Sequence, residues 1–258
     1  MTRVRKGAVV LAQSLWLPVL LVAIWQAAAS NGWLNPFFFP APTTVLATGW
    51  HMTLTGELPR ELTHTFGRYA QGVTLGCLGG IVCGALMGVS VAARRALEPI
   101  VAALYSTPKL TLLPLLMLLV GIGDESRVIL IALVGFIFLS MQTLDGVRGV
   151  DPRYVEMARN YRAGRWAVIR RIYLPAALPQ IFTGFRIALT RSMVTAIALE
   201  LVAGENGIGA VIWLAWETLA TERLYVGILV AAAIGIVVHK ALFRLEERLI
   251  PWRRISTQ

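Results

Sequence analysis

Apolar runs long enough to cross a bilayer constrain this chain more than any other feature. They occupy residues 8–29, 65–92, 98–122, 127–146, 174–203 and 224–244. Inside hydrocarbon no water satisfies backbone N–H and C=O groups, so each run is expected to be helical. Composition agrees: 57% of the 258 residues are hydrophobic and 15% are charged, whereas a soluble domain averages about a quarter charged. The expected fold class is all-α, a polytopic membrane protein of about six transmembrane helices.

The first run follows Arg3, Arg5 and Lys6 and ends in Ala-Ala-Ala-Ser, as a cleaved signal peptide does. At about 33 Å of helix it exceeds a signal core, so it reads as a retained span. Residues 30–61 are aromatic and punctuated by Pro and Gly, the pattern of a loop with a short interfacial helix. The chain divides into 1–64, a first span and outer loop; 65–246, a helical core; and 247–258, a basic tail.

Lys and Arg are unevenly shared between the connecting segments. One set of segments holds Arg3, Arg5, Lys6, Arg94, Arg95, Arg148, the 151–175 stretch, Lys240, Arg244, Arg248, Arg253 and Arg254. The other set offers Arg60, Arg127 and Arg223 beside Asp124, Glu125, Glu205, Glu217 and Glu222. The positive-inside rule then puts both termini in the cytoplasm. The net charge of +10 is a topology signal, because it clusters between apolar runs rather than on one face, and nucleic acid is not an expected partner. Cys77 and Cys83 lie six apart in one apolar run, pointing in different directions on a helix, as buried free thiols; no metal site is expected.

Gly72, Gly76, Gly80, Gly84 and Gly88 repeat every fourth residue. A ridge without side chains lets another helix backbone approach closely, so this face is expected to pack tightly in a bundle.

Residues 151–175, DPRYVEMARNYRAGRWAVIRRIYLP, carry Arg153, Arg159, Arg162, Arg165, Arg170 and Arg171 in an otherwise oily chain. Asp151 suits an N-cap and Pro152 the first helical position. Tyr154, Ala158 and Tyr161 recur at helical spacing, and Trp166, Ile169 and Ile172 or Tyr173 form a second stripe. Gly164 can end the first helix. Two short amphipathic helices joined at a bend make a knob on the inner face. Basic clusters of this kind also bind anionic lipid, which leaves the apolar stripes and the bend unexplained.

Glu156-Met157-Ala158, followed at fixed distance by Ile172-Tyr173-Leu174-Pro175, resembles the cytoplasmic loop of ATP-binding-cassette importer permeases. The flanking text, PKLTLLPLLMLLVGIGDESRVILIALVGFIFLSMQTLDGVRGVDP and LPAALPQIFTGFRIAL, is similar to the nitrate/sulfonate/taurine branch, from about Pro40 to Arg254. The resemblance implies a type I importer permease fold in the bacterial inner membrane. It further implies a homodimer, two ATPase subunits gripping the loop, and an extracytoplasmic substrate-binding protein. Glu156, Met157, Ala158, Arg162, Gly164, Leu174 and Pro175 fall on the coupling loop. The family's bend glycine falls at Arg162, so the bend is expected two residues later, at Gly164. The cargo is expected to be a small anion such as a sulfonate, taurine or nitrate.

Ionisable residues inside spans are functional candidates. Arg191 and Glu200, nine apart, face opposite sides of one helix at 100° per residue, so each needs a partner elsewhere or a wet cavity. Arg191, Ser192, Thr195 and Glu200, with Ser140, Gln142 and Thr143 of the fourth run, are candidates for a polar translocation path. Lys109, between Pro108 and Pro114, suggests a broken segment. Arg68 and Arg186 read as helix-end residues that snorkel to the interface. GENGIGAVIW, residues 204–213, resembles the family's outer loop, with Gly207 and Gly209 permitting a tight turn at an outer gate.

No GxxxxGK[ST] is present, so the chain is not expected to bind ATP; ATP and Mg belong to the partner ATPase. No HExxH or GxSxG occurs, and His51, His64 and His239 are scattered, which argues against a membrane-embedded enzyme. An ion-coupled carrier working alone is the competing reading, and it would need paired acids at mid-membrane.

Overall fold

The protein is described by a computed structural model over residues 2–249, in which every regular element is helical. In chain order these are α1 (Thr2–Ser30), α2 (Pro42–Leu54), α3 (Glu57–Val89), α4 (Val91–Ser106), a 3₁₀ turn (Lys109–Leu112), α5 (Leu113–Val120) and α6 (Asp124–Arg148). Then come α7 (Pro152–Asn160), α8 (Arg165–Val168), a π turn (Ile169–Tyr173), α9 (Leu174–Ala203), α10 (Ile208–Glu217) and α11 (Thr221–Leu249). All but the first residues of the 247–258 tail, including Arg253 and Arg254, lie outside the described residues.

Among the described residues, Glu57–Val89, Asp124–Arg148, Trp166–Glu217 and Thr221–Glu246 contain windows long and apolar enough to cross a membrane. In α1 the apolar helix Trp16–Ser30 covers only the later part of the first expected run, 8–29, and is shorter than a full span. The third run, 98–122, is not one straight span. Val91–Ser106 and Lys109–Val120 meet at 99°. Pro108 breaks the helix at this point: the residue before a proline is driven out of the α region, and Thr107 is extended at ψ 132°.

The centre of the bundle is α6, and the glycine ridge of α3 lies along it. A Cβ on Gly72 would fall 2.6 Å from that of Ile131, and one on Gly80 would fall 2.9 Å from the Phe136 carbonyl oxygen. On Gly76 and Gly84 it would collide with the carbonyls of Ala132 and Ser140, and on Gly88 it would fall 2.6 Å from Val147 Cβ. Contacts advance in the same direction along both helices, so α3 and α6 are parallel; the α4–α5 segment carries the chain back between them. α9 runs antiparallel on the adjacent side, with Gly146 against Ala177, Gly184 against Gln142 and Gly135 against Ser192 Oγ. Leu130, Ile131, Leu139, Ala188, Met193, Ala196 and Leu199 fill the seams of this three-helix core.

One end of the bundle is ringed by Trp33, Phe37, Phe38, Phe39, Trp50, Trp213 and Trp216, all exposed. Aromatic belts of this kind sit at headgroup level. The opposite end carries α7 and α8.

Because the ridge leaves no room for a methyl group, Gly84→Val should lower the detergent-solubilised melting temperature, at a cost of about 1–3 kcal/mol from overpacking. Gly67→Ala, with open space around its Cβ position, should leave that temperature within error. Thermal unfolding of the purified chain checks both.

Candidate functional site

The 151–173 knob forms as its sequence dictates at the start. The backbone N–H of Arg153 donates to Asp151 Oδ1 at 2.9 Å, the N-cap bond of α7. Its end differs from expectation. Ala163 N–H donates to Ala158 O at 2.9 Å, the six-to-one bond of a Schellman cap, which needs a left-handed residue just before Ala163. That residue is Arg162, at φ +54°, and Gly164 is not left-handed. The bend therefore stays at the family's glycine position with an arginine in it. The helix end fixes the bend, because Ala158 is buried and sets where the last turn of α7 closes.

Beyond the bend the chain is helical from Arg165 to Ala203 without a break. Pro175 and Pro179 do not interrupt it; Pro175 sits in the first turn of α9. Pro175 has no N–H to give the carbonyl four residues back, and the preceding turn relaxes to π geometry, with Leu174 N–H on Ile169 O. Of the expected apolar stripes, Ala158 is buried and Ile172 and Tyr173 are half-buried, while the large aromatics face outward. Tyr161 is 83% exposed, Trp166 73%, and Tyr154, Met157, Ile169 and Leu174 are also exposed, as are Glu156 and Pro175.

The candidate path residues are distributed among several faces. Ser140 Oγ donates to Phe136 O at 2.6 Å and is wholly buried, as is Thr143, and both abut Gly84 of α3. Ser192 Oγ donates to Ile131 O at 3.2 Å across the α6–α9 seam. Gln142 Oε1 accepts from Gln180 Nε2 at 2.6 Å in the same seam. Thr195 Oγ1 donates to Arg191 O at 2.9 Å, and Arg191 is exposed, with no carboxylate partner among the described residues. Lys109 occupies the helix bend as expected, its ammonium on Tyr105 O and over the Tyr105 ring.

Glu200 is only 1% exposed, and its partner is Arg68, with Nη1 to Oε1 at 2.9 Å. Arg68 does not snorkel: it is 3% exposed and also donates through Nε to Asp124 Oδ1 at 2.7 Å and through Nη1 to Asn206 O at 3.0 Å. Arg186 does not snorkel either; it pairs with Glu246 at 2.9 Å. Around Arg68 lies a nearly dry network. Thr65 Oγ1 donates to Glu200 Oε2 at 2.8 Å, and Arg127 Nη1 donates to Asp124 Oδ1 at 3.0 Å. The first N–H groups of α10 point into it: Gly207 to Glu61 Oε2 at 2.6 Å, Ile208 to Thr65 Oγ1 at 2.9 Å, and Gly209 to Glu200 Oε2 at 3.2 Å. Carboxylates at a helix N-terminus offset its partial positive charge.

Gly207 needs to be glycine, at φ +102° with Glu200 against its Cβ position; at Gly209 the obstacle is the Ile197 carbonyl. Beside this loop a cavity of about 430 Å³ is lined by Glu57, Arg60, Glu61, Trp213, Glu217 and Arg223, among others. Sequence reasoning missed Glu61, Thr65, Asp124, Arg127 and Asn206. A signal was available: Glu61, Thr65 and Arg68 continue the three-to-four spacing of the glycine ridge, so one stripe of α3 changes from small to polar toward one end.

Residues 76–254 match the family of binding-protein-dependent transport system inner membrane components. The chain belongs to this family. It is 32% identical to a putative aliphatic sulfonates transport permease protein SsuC of Bacillus subtilis (strain 168), over 93% of this chain and 87% of that one. It is 34% identical to the taurine transport system permease protein TauC of Escherichia coli (strain K12), over 90% and 86%. In fold it is similar to a chain of the inward-facing MetNI methionine ABC transporter, with a TM-score of 0.64 at 17% identity over 76% of this chain and 97% of that one. The chain is thus a multi-pass inner-membrane permease of the ABC importer type, a transport component of the sulfonate/taurine/nitrate branch.

At the knob's bend, Arg162→Gly should relieve the left-handed backbone and raise stability by about 1 kcal/mol. Gly164→Ala, with nothing near its Cβ position, should be neutral or slightly stabilising. Paired thermal unfolding of the two variants separates these outcomes.

Proposed function

We propose that this permease is driven through the 151–173 knob by separate ATPase subunits, and that it carries a small sulfonate-type anion into the cytoplasm. The observation that carries this reading is the exposure of Tyr154, Tyr161, Trp166 and Ile169 on a knob outside the core. Large aromatic side chains left in water beside several arginines are the composition of a protein-binding surface. The family supplies partners of that kind, an ATPase and a substrate-binding protein.

ATP and Mg belong to the ATPase, since this chain has no phosphate-binding loop. The unbroken helical path from Arg165 to Ala203 suits a rigid lever: displacement of the α8 half of the knob reaches Glu200 without an intervening break. The knob end is cytoplasmic and the aromatic-ringed end, with Gly207, Gly209 and the adjoining cavity, faces outward to receive solute from the binding protein. Both termini are cytoplasmic, in keeping with the distribution of Lys and Arg. Two copies form one pathway, in which the exposed Arg191 attracts an anion, with Thr195 beside it. Anionic lipid against the basic inner segments holds the assembly in place. The names of the SsuC and TauC relatives support the choice of cargo.

Glu156→Lys tests the coupling. Glu156 is exposed, so the folded chain should keep its thermal stability to within about 0.5 kcal/mol. Uptake into proteoliposomes containing ATPase and binding protein should fall at least tenfold, on the order of 1.4 kcal/mol of lost coupling. Unchanged uptake would remove the knob from the mechanism.

A further inference from the structure

We propose that Arg68 is a positioning residue for the outer gate, fastening the 204–207 loop and α10 to α3 and α9 so that they move as one body. The inference rests on the importer reading, because it assigns the outward end as the place where solute enters.

One guanidinium joins three parts of the fold. From α3 it reaches Asp124 on α6, Glu200 on α9, and both the backbone and the side chain of Asn206 in the loop. A planar fork of five donors suits this task, and a lysine ammonium, as a point charge, does not. The loop has no capping side chain of its own: Gly207 occupies the N-cap of α10. The N–H groups of Gly207, Ile208 and Gly209 are met instead by Glu61, Thr65 and Glu200 from α3 and α9. On the other side, Arg127 of α6 holds the Ala203 carbonyl at the end of α9.

The links differ in strength by their exposure. Arg68 and Glu200 are 3% and 1% exposed, while Asp124 is 55% exposed. Solvent screens the exposed pair and not the dry one. The hub therefore grips α9 more firmly than α6, and the α6 link yields before the α9 link. α10 carries Trp213, Leu214 and Glu217 into the wall of the outward cavity. With its start clamped to α9, motion arriving along α9 from the knob reaches that wall directly rather than being lost in a slack loop.

The test uses the permease assembled with its ATPase and binding protein, and compares the parent with Asn206→Ala and Arg68→Lys. Asn206→Ala removes one loop-side acceptor and leaves the buried Arg68–Glu200 pair intact, which protects the fold. Two quantities are read: hydrogen exchange at the amides of 207–209, and the ratio of binding-protein-stimulated to basal ATP hydrolysis. The proposal expects exchange at least tenfold faster and a stimulation ratio reduced at least fivefold, with Arg68→Lys the more severe. Exchange and ratio both within twofold of the parent would overturn it. So would a lowered melting temperature with an unchanged ratio, the mark of a purely structural role. A parent assembly that shows no stimulation at all would count against the importer reading, while the exchange rates would still decide the role of Arg68.

Discussion

The close approach of α3 to α6 is the constraint on which the rest of this permease depends. Lipid tails are as apolar as leucine, so helices in a bilayer gain little from burying apolar surface against one another; they associate through van der Waals contact and polar bonds. Five glycines in register bring the α3 backbone onto the carbonyls and β-carbons of α6. That contact sets the height of α3 in the bundle. Its polar continuation, Glu61, Thr65 and Arg68, then arrives opposite Asp124 and Glu200. A slip of one helical turn would leave Arg68 without partners in a dry environment, where an unpaired charge costs several kcal/mol.

The two ends of α9 divide the work. At one end the helix continues through a π turn into α8, with the aromatic knob beyond. At the other, one turn before its end at Ala203, stands Glu200, whose carboxylate is shared by Arg68, Thr65 and the start of α10. A buried ion pair is a poor source of net stability, because desolvation offsets most of the attraction. Its contribution here is geometric: it admits one arrangement of four segments. Between the ends, Ser192 and Thr195 of α9, like Ser140 of the adjoining α6, bond to carbonyls of their own or a neighbouring helix, as hydroxyls in apolar helices do, and Arg191 is left exposed.

Much of this was legible in the sequence, and the failures have physical reasons. The apolar runs, the Asp151–Pro152 start of α7 and the glycine ridge are local signals, and local signals survive into the fold. Pro108 marked a break in the third run, but the 99° bend depends on what α5 packs against. Intrinsic preference puts the bend of the knob at Gly164; the closing bond from Ala163 to Ala158 puts it at Arg162 instead. Arg68 read as a helix-end residue because its partners lie 56, 132 and 138 positions away, beyond the reach of any spacing rule. The polar stripe on α3 was visible, yet nothing local says what it faces.

The most direct test of the account is uptake of radiolabelled sulfonate into proteoliposomes, first with the permease alone and then with its ATPase, binding protein and ATP supplied. The account predicts no uptake above empty vesicles in the first case and ATP-dependent accumulation in the second. Concentrative uptake by the permease alone, driven by an ion gradient, would contradict it.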